Sequence, residues 1–252
     1  MNASPAIGSS ASASRVDEFV CWSRMQAEAG QSLEVIVARK EQERRAGNGI
    51  FFWGVGNPPS LVANALARAR MPVKVVFSIM KSRPKAVDVA PDRTIVWRRY
   101  IDAHGVERPL PPNALITSRA DSASGPKRSH YALMCQSSQP LTLRRGVEVF
   151  DPSAFRNAGG KGAPVGYSQV TALLRRVDGQ QGASDYEVNL SAWLTGAYWV
   201  RLTDAVLLTA HNRALMARAS KISETEWVDL STAVREGPSF GVPSKYATGT
   251  LL

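Results

Sequence analysis

Residues 73–80, VKVVFSIM, form a nearly continuous apolar run that is rich in β-branched side chains. This pattern is typical of a central strand that is buried on both faces of a sheet. Shorter runs of strand character surround it, separated by Gly, Pro, Asp and Gln turns. They cover residues 50–55, 94–101, 113–118, 130–136, 168–177, 185–190, 198–202 and 205–210. We therefore expect an α+β protein with a mainly antiparallel, barrel-like sheet.

Helical patterns are expected mainly before this sheet. Residues 16–26 and 32–46 read as two helices, the second with Ser32 as its N-cap and Gly47 just past its end. Further helices are expected at 61–70, where Ser60 supplies the N-cap, and at 212–220. The predicted organisation is a disordered start (1–14), a single α+β domain (15–235, with a helical cover at 15–47 and the sheet at 48–210) and a tail (236–252).

Charge is the unusual part of the composition. The chain of 252 residues has 31 Lys and Arg against 21 Asp and Glu, a net charge of +10. Residues 68–128 hold 13 basic and 5 acidic side chains, so this quarter of the chain contributes +8. Such a surface attracts polyanions. Arginine outnumbers lysine 23 to 8, which favours bidentate contacts with phosphate, although high genomic GC content would produce the same bias.

Several classes of site are disfavoured. The histidines and cysteines have no metal-ligand spacing, and there is no GxSxG motif or Walker loop, so no metal or cofactor is expected. Cys21 and Cys135 have apolar neighbours, which is typical of reduced, buried thiols. Without an apolar leader or a run of 18 apolar residues, we expect a cytoplasmic protein that does not contact membranes.

Two basic segments are candidates for binding phosphate. The first, Lys81-Ser-Arg-Pro-Lys85, directly follows the buried strand, and strand ends commonly carry binding groups. The second spans residues 117–130 between two apolar strands and is long enough to suggest function. Solvated surface loops are the alternative for both. The candidate cations are Lys81, Arg83, Lys85, Arg98, Arg99, Arg119, Lys127 and Arg128.

Aromatic residues suggest a place for a base. Trp97 lies beside Arg98 and Arg99 in a strand, and an indole bordered by guanidinium groups is a suitable surface for a splayed base. Trp53 precedes a turn in which Asn57 is placed either to read a base edge or to adopt a left-handed turn conformation. A role in the core is the alternative for both tryptophans.

The order of these features resembles the PUA-like group, which includes the ASCH, EVE and YTH domains. The resemblance covers residues 50–210 and rests on an aromatic strand, a basic loop and a long apolar strand, followed by SQVTALLRRV, DYEVNL and YWVRLTDAVLL. It implies a small barrel with an aromatic pocket that accepts a modified base. Trp53 and Trp97 would line that pocket, with Lys81, Arg83, Arg119 and Arg128 along the nucleic-acid backbone. The N-terminal helices and long inserts depart from the group.

The favoured interpretation is a prokaryotic protein that binds nucleic acid, DNA or RNA, and reads modified or flipped bases without catalysing a reaction. The alternative is an enzyme acting on a nucleotide or modified nucleobase. In that case the Lys81–Arg83 loop holds phosphate, and Asp88 or Asp121 transfers a proton. A third possibility is a scaffold with a protein partner in a larger assembly, which would expose a large apolar patch.

Overall fold

The computed structural model describes most of the chain. The described residues are 18–28, 30–58, 60–80, 94–102, 104–119, 130–159, 171–177, 186–236 and 239–240. Their strands are β1 (Phe19–Met25), β2 (Ile50–Val55), β3 (Lys74–Ile79), β4 (Thr94–Ile101), β5 (Glu107–Pro109), β6 (Thr117–Arg119), β7 (Tyr131–Gln136), β8 (Val149–Phe150), β9 (Phe155–Asn157), β10 (Thr171–Arg176), β11 (Tyr186–Glu187), β12 (Leu190–Leu207) and β13 (Ser239–Phe240). The helices are α1 (Leu33–Ala46), α2 (Val62–Arg68), α3 (Ala210–Met216) and α4 (Glu224–Arg235).

One mixed sheet organises these elements. Its main path is β2-β7-β12-β3-β1-β10-β9, while β4 pairs with β12, β5 and β6, and β13 pairs with β12. Among the described strands, only β1 and β3 run parallel. The predicted α+β class with a mainly antiparallel sheet is confirmed. The predicted central strand is also confirmed, because β3 pairs with β1 on one side and β12 on the other, and Val75, Val76 and Phe77 are buried.

Strand β12 connects the two parts of the sheet. Its first residues pair with β3 and its last with β4, while β7 runs along the opposite edge. The register against β7 shifts between Leu194 and Trp199, and Gly196 and Tyr198 have positive φ angles there. This β-bulge reverses the alternation of faces. Strand β12 was predicted as separate strands because the bulge interrupts its alternating pattern.

The sheet has two differently covered faces. The first face packs against Val37 of α1 and Ala63 of α2 in the central core. The second face carries two separate apolar groups. The β4 cluster includes Phe52, Trp97, Ala132 and Val200, and the β8 cluster includes Trp22, Val76, Phe150 and Leu174. Helices α3 and α4 cover the far side of β4, where Trp227 is fully buried.

Helix α1 begins and ends as predicted. The Ser32 hydroxyl accepts a hydrogen bond from Val35 N at 3.3 Å, which satisfies one of the free N–H groups of the first turn. Gly47 forms the C-cap and donates its N–H to Glu43 O at 2.8 Å. The predicted helix after Ser60 is present as α2, but its N-cap is Leu61 and not Ser60; the Ser60 hydroxyl accepts from Val62 N at 3.2 Å, one residue before the cap.

The first half of the predicted helical cover is wrong. Residues 19–25 form β1, which pairs with β3 and β10. Six of its seven residues are buried, so both faces of the strand carry side chains that pack, and no alternation marks it as a strand. Pairing with distant segments outweighs the local pattern here.

Other differences lie near the ends of elements. The predicted strand 113–118 is shorter and shifted, since β6 spans Thr117–Arg119, and the predicted helix 212–220 is Ala210–Met216. Helix α4 was not predicted, so helices are not confined to the N-terminal part. Residues 1–14 lie outside the described residues. So does most of the predicted tail, 236–252, apart from Glu236 and β13.

Candidate functional site

Both tryptophans of the predicted base pocket are core residues. Trp53 is 7% exposed and packs against Phe77 with ring centroids 4.7 Å apart. Trp97 is 1% exposed and donates its Nε1–H to Ser118 Oγ at 2.9 Å. Their ring faces are covered by protein, so neither ring is open to a base. The prediction of these two as pocket residues is wrong, because the strands that carry them are covered on the faces to which they point.

Asn57 lies exposed in the bend after β2. Its φ angle is not positive, so the predicted left-handed turn role is wrong. Asn48 has that conformation instead, with φ of 51° in the turn between α1 and β2.

The predicted cations of β4 are paired with carboxylates. Arg98 contacts Asp204 at 2.7 Å through a two-pronged contact, and Arg99 contacts Glu107 at 3.0 Å. Arg119 is exposed at the end of β6. The ion pairs reduce the positive field that Arg98 and Arg99 present to a polyanion.

The remaining predicted charges lie outside the described residues. These are Lys81, Arg83, Lys85, Asp88, Asp121, Lys127 and Arg128. The alternative enzyme mechanism, which depends on Asp88 or Asp121, therefore stays a prediction. The same is true of the phosphate-binding loop, although β3 does end at Ile79, directly before it.

The structure exposes a different tryptophan, Trp193, in the first half of β12. Leu190, Ala192 and Leu194 point into the central core, so the side chain of Trp193 emerges on the second face of the sheet. It is 42% exposed, whereas the other five tryptophans of the chain are 7% exposed or less. Trp193 therefore offers the indole surface most open to a ligand.

The uncovered position of Trp193 follows from the layering of the sheet. Its cross-strand neighbours are Gln136 on β7 and Lys74 on β3. None of these three residues belongs to the β4 cluster or the β8 cluster, which cover the second face on either side. Lys74 Nζ lies 3.0 Å from Glu148 Oε1 in an ion pair, and the Lys74 side chain is about one-third exposed. The sheet thus presents an indole between an amide and a cation.

A cleft of about 440 Å³ opens beside this indole. It is lined by Arg44, Asn48, Gly49, Gln136, Ser137, Ser138 and Trp193. The volume falls within the range of about 300–1,000 Å³ that is usual for sites that bind small organic groups. The cleft joins the end of α1 to the ends of β7 and the first half of β12.

The turn after α1 forms one wall of the cleft. Gly49 has φ of 89°, donates its N–H to Arg44 O at 2.8 Å and accepts from Ser137 N at 2.9 Å. A Cβ atom at Gly49 would lie 3.1 Å from Ser137 O, so glycine suits both the φ angle and the close approach. Because the Gly49 backbone is already bonded on both sides, side chains must supply the polar contacts to a ligand.

Arg44 is held in place by Glu41. Its Nε and Nη2 donate to the Glu41 carboxylate at 2.7 and 2.8 Å, and this hydrogen bonding raises the pKa of Arg44. Burial acts to raise the pKa of Glu41, but the hydrogen bonds from Arg44 and Leu141 N outweigh it, and the pKa is lowered. Glu41 thus fixes both the guanidinium of Arg44 and the chain at Leu141 after the cleft wall.

The two side-chain amides of the cleft are available to a ligand. Gln136 and Asn48 are exposed, and neither amide has a hydrogen-bond partner within the part of the chain that the structure describes. An amide group offers both donors and an acceptor. The cleft therefore combines a stacking surface, two amides and an adjacent fixed cation.

Trp193 was not among the predicted site residues, although its sequence context carries a signal. In the stretch LSAWLT the apolar residues Leu190, Ala192 and Leu194 alternate with Ser191, Trp193 and Thr195. A tryptophan in the polar phase of a strand is expected to face away from the core. Trp53 and Trp97 lie in the apolar phase of their strands and are buried.

The described residues bring together no three His, Cys, Asp or Glu side chains that could hold a metal ion. No helix in the described ranges has the length and apolarity needed to cross a membrane. In comparisons with known proteins, no family model, no curated protein and no solved structure matches this chain.

Proposed function

We propose that this protein binds nucleic acid, with a base stacked on Trp193. The observation that carries the proposal is the 42% exposure of Trp193 beside a cleft lined by polar side chains. Stacking of a base on an aromatic side chain is worth about 1–3 kcal/mol and needs an open ring face. Trp193 is the tryptophan that meets this requirement.

Electrostatics support the same proposal. The net charge of +10 favours association with polyanions. Lys74 is the cross-strand neighbour of the exposed indole and Arg44 lines the cleft, and each is paired with a carboxylate, Glu148 and Glu41 respectively. Affinity in this proposal comes largely from phosphate contacts, and selection of the base comes from the cleft. The basic segment after β3 and the exposed Arg119 are further candidates for contacts with phosphate.

The proposal extends to the class of the protein. The segment YWVRLTDAVLL, on which the resemblance to the PUA-like group partly rests, lies almost entirely in the bulged strand β12, which continues from one part of the sheet into the other. In that interpretation the protein is a cytoplasmic reader of modified or flipped bases, and Trp193 takes the place first assigned to Trp53 and Trp97.

A salt-dependent titration of short single-stranded DNA and RNA tests the proposal. With about five phosphates neutralised, the logarithm of affinity should fall against the logarithm of salt concentration with a slope of about −3.5. Trp193→Ala should weaken binding by about fivefold or more, the loss of one stacked base. Leu207→Ala is the matched control, because Leu207 is 44% exposed and does not line the cleft.

Two results would reject this function. One is an affinity that hardly changes with salt, since phosphate contacts would then be absent. The other is equal affinity of the Trp193→Ala and Leu207→Ala variants, since the indole would then contribute nothing. Circular dichroism of both variants checks that the fold is intact.

A further inference from the structure

We infer that the cleft beside Trp193 selects an unpaired adenine base, a conclusion that rests on the proposed function and names its ligand. Two side-chain amides line the cleft, Gln136 on β7 and Asn48 in the turn after α1. A base stacked on Trp193 has its edges directed outward in the plane of the ring. Amide groups at the rim are then placed to contact those edges.

The chemistry of the amides favours adenine. A side-chain amide offers a donor and an acceptor side by side, which matches the N6 donor and N7 acceptor of adenine. Adenine repeats this donor and acceptor pair on its other edge, at N6 and N1. Guanine has one such pair, the O6 acceptor beside the N1 donor, because its O6 and N7 are both acceptors, and cytosine and thymine also have one matching edge each. Two amides in one cleft can therefore both be satisfied by adenine.

We assign the arginine of the cleft to the phosphate backbone and not to the base. Guanine is commonly read by a two-pronged arginine contact. In Arg44 the Nε and Nη2 groups already donate to Glu41 at 2.7 and 2.8 Å. Three N–H groups of Arg44 remain, and in this proposal they contact a phosphate oxygen, while the two amides contact the base.

The base must be unpaired. In a duplex the faces of adenine are covered by neighbouring bases, and its N1 edge is hydrogen-bonded to the opposite strand. Stacking on Trp193 with amides on both edges needs a base from a single strand or one flipped out of a duplex. The backbone N–H and C=O groups of Gly49 are already hydrogen-bonded to Arg44 and Ser137. Recognition of the base therefore depends on the side chains.

The test compares short homopolymers of deoxyadenosine, deoxycytidine and thymidine of equal length, with binding followed by tryptophan fluorescence. The deoxyadenosine strand should bind about tenfold more tightly than either pyrimidine strand. Replacing adenine with 7-deazaadenine, which keeps the ring but lacks the N7 acceptor, should remove most of that preference. A duplex in which every adenine is paired with thymine should also bind without the preference.

Two variants test whether Gln136 recognises the adenine base. Gln136→Leu should reduce the preference for adenine to about twofold or less, while general affinity for single strands remains, because Trp193 and the cations are unchanged. Gln139→Leu is the matched control, since Gln139 is exposed in the same segment but does not line the cleft. It should keep the full preference.

The outcomes separate this inference from the function on which it rests. Equal affinity for the three homopolymers, with binding still dependent on Trp193, would overturn the adenine preference and leave nucleic-acid binding intact. An adenine preference that survives Gln136→Leu and 7-deazaadenine would also overturn it. Absence of binding to all strands would overturn both.

Discussion

The carboxylate of Glu43 accepts the amide proton of Leu115 at 2.7 Å, and both residues are fully buried. The same carboxylate accepts from Lys40 Nζ at 2.6 Å and from Phe52 N at 3.1 Å. Lys40 in turn donates to Leu115 O at 2.9 Å. One carboxylate thus joins α1, β2 and the segment before β6, and burial lowers the pKa of Lys40 against the opposing effect of Glu43.

Replacing Glu43 should destabilise the fold strongly. Glu43→Leu leaves the ammonium group of Lys40 buried without its carboxylate and leaves two backbone N–H groups without an acceptor. Loss of one partner of a buried pair costs about 3–5 kcal/mol. The free energy of unfolding from urea denaturation measures this loss.

The double variant Lys40→Met/Glu43→Leu provides the control. It removes the uncompensated charge, so its loss of stability should be smaller than the sum of the two single losses. Additive losses would show that the two side chains stabilise the protein independently.

Gly47→Ala should destabilise the protein by about 1–3 kcal/mol through overpacking. An added Cβ would lie 2.5 Å from Asn113 Nδ2 and 2.6 Å from Ile50 O, and one of these contacts is to backbone. Gly56→Ala is the matched control, because a Cβ there meets no atom within 4 Å. Thermal unfolding of both variants measures the difference, and equal melting temperatures would contradict the prediction.

The pKa of Asp102 should lie well below that of an ordinary aspartate. The hydrogen bond from Arg108 Nε at 2.6 Å, assisted by the N–H groups of Val106 and His104, lowers the pKa of Asp102 to about 2. A lowered pKa means that Asp102 stabilises the β4–β5 hairpin above the pKa of an unfolded aspartate, about 3.9. That contribution is lost as the pH falls through about 2.

Titration of the Asp102 carboxyl carbon by NMR measures this pKa directly. Arg108→Gln should raise it toward the ordinary value, while Arg119→Gln, which changes an exposed arginine on another strand, should leave it unchanged. An Asp102 pKa near 3.9 in the wild-type protein would show that the hairpin contacts do not persist in solution.

Both cysteines should react slowly with thiol reagents in the native protein. Cys21 and Cys135 are fully buried, and burial raises the pKa of Cys21 to about 12 and also raises that of Cys135. Only the thiolate reacts, so labelling needs an opening of the structure. A colorimetric thiol assay should find both groups after unfolding in urea, and rapid labelling without urea would contradict the prediction.

The sequence was informative where one local rule and the tertiary environment agree. The cap at Ser32 and the apolar run of β3 are examples, since capping is local and burial on both faces leaves a continuous apolar run. Helix α4 could also have been predicted from the sequence. Ser223 and Glu226 form a capping box, and Trp227 and Val234 are spaced by seven residues on its buried face.

Other features depend on contacts between distant segments. Strand β1 has no strand-like alternation because β3 and β10 flank it and both its faces are covered. The alternation in LSAWLT predicts that Trp193 faces away from the core, but the exposed fraction of its ring depends on which elements cover that face of the sheet. The ion pair of Arg98 with Asp204, which are 106 residues apart, is likewise a product of the fold.

Because of the bulge in β12, the number of residues between Leu194 and Trp199 determines which face each later side chain points to. Before it, even-numbered residues such as Leu194 point into the central core, and after it the odd-numbered Trp199 does so. Deleting one residue between them would turn Trp199 toward the β4 cluster and send Val200 to the opposite side. Apart from Gly196 and Tyr198, whose φ angles are positive, substitutions within this short stretch are therefore expected to be tolerated better in related sequences than a change in its length.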